Sequence, residues 1–418
     1  GGGLRNGRSA DTGQPDRGDD GMDAHTAHDL KQMQSLPLDA KITMTKQRIK
    51  VWYESWSRFE IVNEKTGKSR FITMDTRDNS EPPIKENEWI RSVFPGQVYV
   101  AFSGGKDSTV LKHIVDSMYD DVPALFVNTG LEYPEIQKFV REIKAGKYEC
   151  FNSDVEIMRP EMSFKEVLER YGYPVISKEI AKKVHDYRTA KKRGLKNGYA
   201  ERQFNGTYVT KNGGKSQYNV TKWRFLLDAD FDVSHECCSV MKKKPAYRYG
   251  KESERKPIIG TMASESRLRY QKWLQHGCNA FEKWNPSSQP LSFWTNQDIL
   301  QYIKKYDVPY CPVYGEIVID ESEDDVLDGQ INIFDELGDY SNAGKLKTTG
   351  CDRTGCIFCM FGSHLVKEPN RFQRLKETHP RQYDYCINGG EMVDGKWQPN
   401  KEGLGLGKVL DYIGVPYE

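Results

Sequence analysis

The sequence has no run of about eighteen apolar residues, and this absence excludes a membrane-spanning helix. Its first residues are rich in Gly, Asp and Arg and lack the apolar stretch that a secretory signal requires. The nine cysteines are an odd number in a large chain without such a signal, so we do not expect disulfides. We expect a cytoplasmic protein without a membrane partner, whose clustered cysteines serve metal or redox chemistry.

The charge is almost balanced overall, with 61 Lys and Arg against 60 Asp and Glu, but its distribution is uneven. Residues 178–224, here called the basic segment, contain 13 Lys and Arg and 3 Asp and Glu. Such a segment can follow a phosphate backbone, which predicts nucleic-acid contact, although a solvated helix face has the same composition. Residues 316–339 contain 10 acidic residues and no basic ones, which predicts a solvated loop.

Composition and turn signals predict four consecutive regions along the chain. Residues 1–32 have little apolar periodicity and are expected to be a disordered leader. Residues 33–90 form a small N-terminal region, in which 49–75 is predicted to be a hairpin. A nucleotide-binding domain is expected over residues 91–310, with the basic segment as an insertion, and a cysteine-cluster region over 311–418.

Short apolar runs of strand length alternate with helical periodicity after residue 91. Strands are predicted at 97–102, 124–128 and 154–158, and helices at 109–118 and from Pro134 onward. Strand–helix–strand units at this spacing require parallel strands with right-handed crossovers. The sequence therefore predicts an α/β fold built on a doubly wound, mostly parallel sheet.

A glycine-rich turn, here called the phosphate loop, joins the first of these strands to the first helix. It consists of Ser103, Gly104, Gly105, Lys106, Asp107 and Ser108. Its glycines let backbone N–H groups approach an anion, Lys106 adds positive charge, and the serines and the helix N-terminus add donors. It differs from the loop of the common NTPases, because only one residue precedes the glycine pair. The turn predicts a site for the phosphates of ATP.

The phosphate loop resembles the PP-loop of the adenine-nucleotide α-hydrolase superfamily, which cleaves ATP between its α- and β-phosphates. Residues 128–135 resemble the second-strand motif of the branch with 3′-phosphoadenylylsulfate (PAPS) reductases, ATP sulfurylase small subunits and DNA-phosphorothioation enzymes. That motif usually has Asp where this chain has Asn128. Residues 260–267 resemble the same branch's substrate loop, and the resemblance covers residues 95–310.

This resemblance implies binding of ATP and Mg²⁺ and a set of site residues. Arg267 and Arg269 would present cationic forks to phosphate or sulfate, although such a pair also suits a surface ion pair. Catalytic roles would fall on Lys106, Asp107 and Arg267. The implied nucleotide contacts are Ser103, Gly104, Gly105, Lys106, Asp107, Ser108, Asn128, Thr129, Gly130, Glu132, Glu265, Arg267 and Arg269.

Cysteines are concentrated in two distant stretches of the chain. The candidate metal ligands are Cys237, Cys238, Cys351, Cys356 and Cys359. A Cys-x-x-Cys turn points two thiolates at one metal or cluster. Three thiols of one loop need only one partner, which favours Cys238 with the three downstream cysteines.

The arrangement also resembles the [4Fe-4S] site of adenylylsulfate reductases, which combine a Cys-Cys pair with a distant Cys-x-x-Cys. The resemblance places the ligands at Cys237, Cys238, Cys356 and Cys359. A structural zinc ion needs the same cysteine spacing and stays an alternative, as do unliganded buried cysteines.

Three classes of function fit these motifs. The leading hypothesis is an ATP pyrophosphatase that adenylylates a nucleic acid or a small acceptor and transfers sulfur to it with a [4Fe-4S] cluster and a sulfur donor protein. The second is a sulfonucleotide reductase. The resemblance implies that such enzymes carry an altered phosphate loop and a C-terminal cysteine, whereas this chain has the unaltered loop and residues 407–418 contain no cysteine, so this hypothesis is disfavoured. The third is a non-catalytic subunit that binds nucleotide or nucleic acid in a defence or modification complex.

Overall fold

The computed structural model describes residues 25–195, 198–281, 284–320 and 345–418. Most of the predicted leader and most of the predicted acidic loop lie outside these residues. The leader's last part does not fit the prediction, because helix α1 spans Ala27–Gln34. A capping box between Thr26 and Asp29 starts this helix, and Leu30 is buried in the core.

The N-terminal region consists of a long helix followed by a three-stranded antiparallel sheet in the order β2-β1-β3. Their bounds are Leu38–Ser55 for α2, Trp56–Asn63 for β1, Ser69–Asp75 for β2 and Glu88–Pro95 for β3. The hairpin prediction is therefore wrong for residues 49–55, which end helix α2. Ile42, Ile49 and Trp52 are buried at helical spacing, and this packing overrides the strand propensity of the segment.

The central sheet has six strands in the order β6-β5-β4-β7-β9-β8, and every pairing except β8 with β9 is parallel. Its first half comprises β4 (Val98–Ala101), α3 (Lys106–Asp116), β5 (Ala124–Val127), α4 (Pro134–Lys144) and β6 (Val155–Met158). The prediction of an α/β fold with a mostly parallel sheet is confirmed.

Strand order reverses at β4, because β5 and β6 follow on one side of it and β7 pairs with its other side. Ligands of such sheets bind at the carboxyl ends of the strands where this reversal occurs.

The remaining helices and strands have the following bounds: α5 (Phe164–Tyr171), α6 (Lys178–Lys192), α7 (Gly198–Asn205), α8 (Lys244–Glu252), β7 (Lys256–Ile259), α9 (Arg267–His276), β8 (Asn279–Ala280), β9 (Ser287–Ser288), α10 (Asn296–Lys305), β10 (Ile317–Ile319), β11 (Leu346–Thr348), α11 (Arg371–Thr378), α12 (Pro380–Ile387), β12 (Glu391–Val393), β13 (Lys396–Gln398) and α13 (Leu406–Ile413).

Two of these helices begin at a capping box. Ser163 caps α5 and Thr295 caps α10, each with a reciprocal bond from the residue three positions on. None of the helices in the described part of the chain is long and apolar enough to cross a membrane.

Candidate nucleotide and cysteine site

The phosphate loop connects β4 to α3, and its two glycines have different structural roles. Gly104 has a φ of +71°, a conformation that other residues rarely adopt, and a Cβ there would lie 2.8 Å from Ile136 Cγ2. Gly105 is the N-cap of α3 and offers no side-chain cap. The first amide of α3, Lys106 N, donates to the Tyr314 hydroxyl at 3.0 Å, and the helix dipole favours an anion at this end of the helix.

Hydrogen bonds of Ser103 and Ser108 stabilise the turn of the phosphate loop. Ser103 N donates to Ser108 Oγ at 3.1 Å, and Ser108 Oγ donates to Gly105 O at 2.9 Å. The two hydroxyl oxygens are 2.9 Å apart. These bonds fix the curvature of the turn and bring both predicted serines to the site.

Lys106 and Asp107 form an adjacent ion pair at the start of α3. Lys106 Nζ lies 3.2 Å from Asp107 Oδ1, and the lysine side chain is almost fully buried at 4% exposure. The loop that follows β7 packs directly on this turn, because a Cβ on Gly260 would lie 3.1 Å from Asp107 O. Strand order thus brings the two loops together at the switch point.

The motif after β5 is ordered by its own side chains. Thr129 donates to Glu132 twice, from its backbone nitrogen at 3.0 Å and from Oγ1 at 2.7 Å. Asn128 Oδ1 accepts from Gly130 N at 3.1 Å, so it caps the turn.

The loop after β7 carries the predicted arginines, and the structure treats them differently. Glu265 accepts from Met262 N at 2.8 Å and pairs with Arg269. Arg353, from the downstream cysteine stretch, lies 3.6 Å from the same carboxylate. Burial and the charge of Arg353 lower the pKa of Arg269, against the attraction of Asp107. Arg267 is exposed at the first position of α9 and has no ion pair with the described residues.

Cysteines from the two distant stretches influence one another electrostatically. The neighbouring thiols of Cys237 and Cys238 interact, so that the pKa of Cys238 is lowered and the pKa of Cys237 is raised. Cys237 is also acted on electrostatically by Cys356 and Cys359. Burial raises the pKa of Cys356 to about 11, and the nearby charge of Lys242 opposes that rise.

Cys351 stands apart from these four residues. Burial and, after it, the neighbouring thiol of Cys351 raise the pKa of Tyr133. The contacts of Cys351 are thus different from those of Cys237, Cys238, Cys356 and Cys359, and the choice of ligand set stays a prediction. Within the part of the chain that the structure describes, no three or more His, Cys, Asp or Glu side chains are arranged to hold a metal ion.

The downstream cysteine stretch packs against the nucleotide loops. Ile357 N donates to Leu131 O at 2.8 Å, next to the motif after β5. Thr354 and Tyr314 reach the phosphate loop itself, since a Cβ on Gly105 would lie 3.0 Å from Thr354 Oγ1 and 3.2 Å from the Tyr314 hydroxyl. Sequence reasoning missed Tyr314 and Thr354, because nothing in their local pattern indicates contact with a turn over two hundred residues away, and it missed the contact of Arg353 with Glu265 for the same kind of reason.

Fold and site together define an α/β nucleotide-binding protein whose phosphate loop lies at the switch point of a parallel sheet. The chain belongs to the phosphoadenosine phosphosulfate reductase domain family, whose profile matches residues 97–194 and 187–360, more than half of the chain. This membership places it among the enzymes of the PP-loop superfamily.

Individual relatives match over shorter stretches. A phosphoadenosine 5′-phosphosulfate reductase of Alkalilimnicola ehrlichii is 31% identical over 84 residues, covering 20% of this chain and 33% of that protein. An uncharacterized protein of Methanocaldococcus jannaschii is 34% identical over 77 residues, covering 18% of each. The chain thus spans a third or less of the length of these relatives.

A solved structure also shows limited similarity. The phosphoadenylyl-sulfate reductase of Candida auris, in a phosphate complex, is 14% identical with a TM-score of 0.29, covering 51% of this chain and 75% of that chain. Similarity at that level carries no weight for fold or function.

Proposed function

We propose that the protein is an ATP-dependent enzyme that activates an acceptor oxygen by adenylylation and then replaces it with sulfur. In the first step the acceptor oxygen attacks the α-phosphorus, the bond to the β-phosphate oxygen breaks, and pyrophosphate leaves. In the second step a sulfur nucleophile at the oxidation level of sulfide attacks the activated centre, and AMP leaves. Both steps are displacements and need no net oxidant or reductant.

One observation carries this proposal: an unaltered phosphate loop lies against the loop that bears Cys356 and Cys359. Backbone amides of the phosphate loop and the buried Lys106 are suited to the charge of leaving pyrophosphate. Asp107 would hold Mg²⁺, which supplies further charge neutralisation when bound. Arg269 would contact the phosphate or sulfur-bearing end of the substrate.

We assign a [4Fe-4S] cluster to Cys237, Cys238, Cys356 and Cys359, with structural zinc as the alternative. The electrostatic influence of Cys238, Cys356 and Cys359 on Cys237 supports the assignment. Lys178 and Lys242 lie close enough to Cys238 to lower its pKa, which suits a site of accumulated negative charge. When bound, the cluster would hold or relay the incoming sulfur.

A nucleic acid is the proposed acceptor, docked on the basic segment. Helix α6 begins at Lys178, beside Cys238, and ends in the exposed residues Lys191, Lys192 and Arg193. A polyanion on this helix would therefore extend toward the cysteines. The sulfur donor is proposed to be a second protein.

The test is product analysis with protein purified under anaerobic conditions and analysed for iron and zinc. AMP and pyrophosphate are the expected products, and a Lys106→Ala variant should not form them. Release of ADP and phosphate would contradict the mechanism. A broad visible charge-transfer band with bound iron would support the cluster, whereas stoichiometric zinc without that band would replace it with a structural ion.

A sulfonucleotide reductase is the second candidate, favoured by the family and by the name of the Alkalilimnicola ehrlichii relative. Sulfite formation from adenylylsulfate with a thiol donor, without ATP consumption, would decide for it. Binding of ATP and polynucleotide without any turnover would instead favour a non-catalytic subunit.

A further inference from the structure

The basic segment carries three tyrosines whose rings reach the protein surface. Tyr199 and Tyr218 are 50% and 51% exposed, and Tyr208 is partly exposed. Residues 199–224 contain five Lys and Arg and a single acidic residue, Glu201. Isolated exposed aromatic side chains are common, but three tyrosines in one short basic stretch have the composition of a binding surface.

Hydrogen bonds hold the backbone that carries these rings. Tyr208 N donates to Asn219 Oδ1 at 3.2 Å, and Asn219 Nδ2 donates back to Tyr208 O at 2.9 Å. Ser216 N donates to Tyr208 O at 3.1 Å, and Ser216 Oγ accepts from Tyr218 N at 3.2 Å. The rings of Tyr199 and Tyr208 pack edge to face with their centroids 4.9 Å apart. The three residues therefore form one ordered patch, here called the tyrosine surface.

Cations lie beside two of these rings. Arg202 Cζ lies 5.8 Å from the ring centroid of Tyr208, and Lys183 Nζ lies 6.0 Å from that of Tyr218. Lys183 also pairs with Glu179 at 2.7 Å, whereas no carboxylate among the described residues pairs with Arg202. The tyrosine surface thus combines open aromatic faces with positive charge that is only partly neutralised.

The tyrosine surface lies against helix α6. Lys183 Nζ donates to Tyr218 O at 3.4 Å, which joins the loop that bears Tyr218 to this helix. Lys183 follows Lys178, the first residue of α6, by five positions, or about 7.5 Å along the helix axis. The charge of Lys178 is one of those that lower the pKa of Cys238. A ligand on Tyr218 therefore lies near the end of α6 that acts on the cysteines.

We propose that the tyrosine surface stacks unpaired bases, so that the acceptor of the proposed sulfur transfer is a single-stranded nucleic acid. In a duplex each base face is covered by the neighbouring base pair, and a protein surface meets mainly phosphates and groove edges. Unpaired bases offer their faces to aromatic rings, while cations beside the rings contact the phosphates. The inference rests on the proposed function and adds the class of nucleic acid.

The experiment compares the affinity of the full chain for a labelled single strand of about sixteen nucleotides with its affinity for a duplex of the same length. DNA and RNA strands are both tested. The parent protein should prefer the single strand. Tyr199→Ala/Tyr218→Ala removes two exposed rings and should weaken single-strand binding about a hundredfold, about tenfold for each stacked base, without changing duplex binding.

Two further variants separate stacking from other effects of the substitutions. Tyr199→Phe/Tyr218→Phe retains both rings and should bind the single strand as the parent protein does. Tyr306→Ala is the matched control, because Tyr306 is 42% exposed and Lys305 Nζ lies 5.8 Å from its ring centroid, outside the basic segment. It should also bind normally. A second readout is the salt dependence, whose slope the double alanine variant should keep because it removes no charge.

The outcomes distinguish this inference from the proposed function. Parent-like single-strand affinity of Tyr199→Ala/Tyr218→Ala would overturn the inference and favour a protein as the occupant of the tyrosine surface. Equal weakening for single strand and duplex, or by Tyr306→Ala, would overturn it as well. Selective binding of single strands without formation of AMP and pyrophosphate would overturn the proposed function and leave the inference standing.

Discussion

Lys242 Nζ lies 3.8 Å from Glu132 Oε1, so one lysine joins the cysteine-bearing segment to the motif after β5. Although burial favours the neutral amine, the charges of Cys356, Glu132 and Cys238 together raise the pKa of Lys242. The Glu132 carboxylate is already held by Thr129. Lys242 is thus a fixed cation between the nucleotide motif and the thiols.

Replacing Lys242 with Met should therefore weaken iron retention. The loss of one partly exposed cation beside the thiolates predicts about threefold faster iron release to a chelator. Lys244→Met removes an exposed lysine two positions further along and is the matched control. Identical release from both variants would show that the contact with Glu132 and Cys356 has no bearing on the cluster.

The Gly105→Ala variant tests the nucleotide cradle. Gly105 has a φ of −77°, which alanine adopts without strain, so the added methyl group acts only by filling space. The methyl carbon would lie 3.0 Å from Thr354 Oγ1, and crowding of this kind predicts about tenfold weaker MgATP binding. Calorimetry is the measurement.

Gly198→Ala is its control, because a Cβ on Gly198 meets no atom within 4 Å. It should leave MgATP affinity unchanged. Normal affinity of Gly105→Ala would mean that phosphates do not enter this part of the loop.

The strand and helix pattern of the nucleotide-binding domain could be predicted from the sequence because its signals are local. The apolar runs of β4 and β5 and the capping residues of α5 and α10 lie within single elements. The phosphate loop was visible for the same reason, since strand, glycines and helix follow one another directly. The prediction was wrong for residues 49–55, because the β-favouring side chains of this segment belong to helix α2 and are buried on its inner face.

The composition of the cysteine site depends on contacts that no local pattern contains. Spacing groups Cys351 with its near neighbours in sequence, but the structure turns that thiol toward Tyr133. Likewise, Tyr314 and Thr354 meet Lys106 only because the C-terminal region folds back over the switch point. Sequence separation, not residue type, limited the prediction.

Cysteine substitutions test which thiols are ligands of the proposed cluster. Cys356→Ser should remove most of the iron found in anaerobically purified protein, because it deletes one of the four proposed ligands. Cys351→Ser should retain it, since that thiol contacts Tyr133. Iron analysis with visible spectra is the measurement, and iron loss from Cys351→Ser equal to that from Cys356→Ser would restore the ligand set that includes Cys351.

Nucleic-acid docking on the basic segment predicts a defined salt dependence. The double variant Lys191→Ala/Arg193→Ala removes two exposed cations at the end of α6, and each cation that no longer neutralises a phosphate lowers the salt slope by about one. Binding of a labelled oligonucleotide at several salt concentrations is the measurement. Lys65→Ala/Lys68→Ala removes two exposed lysines from the β1–β2 turn, and an equal change of slope there would argue against a dedicated surface.

The buried ion pair between Lys41 and Asp298 fastens the N-terminal region to the nucleotide-binding domain. The two side chains are 3% and 9% exposed, and the Nζ–Oδ1 distance is 2.8 Å. Lys41→Met leaves a buried carboxylate without its cation, which costs about 3 kcal/mol of the free energy of unfolding. Lys50→Met removes a lysine of the same helix whose pair with Glu54 is exposed and 3.7 Å long, so it should cost less than about 1 kcal/mol. Denaturant unfolding compares the two, and equal stabilities would mean that the pair with Asp298 contributes no more than a surface contact.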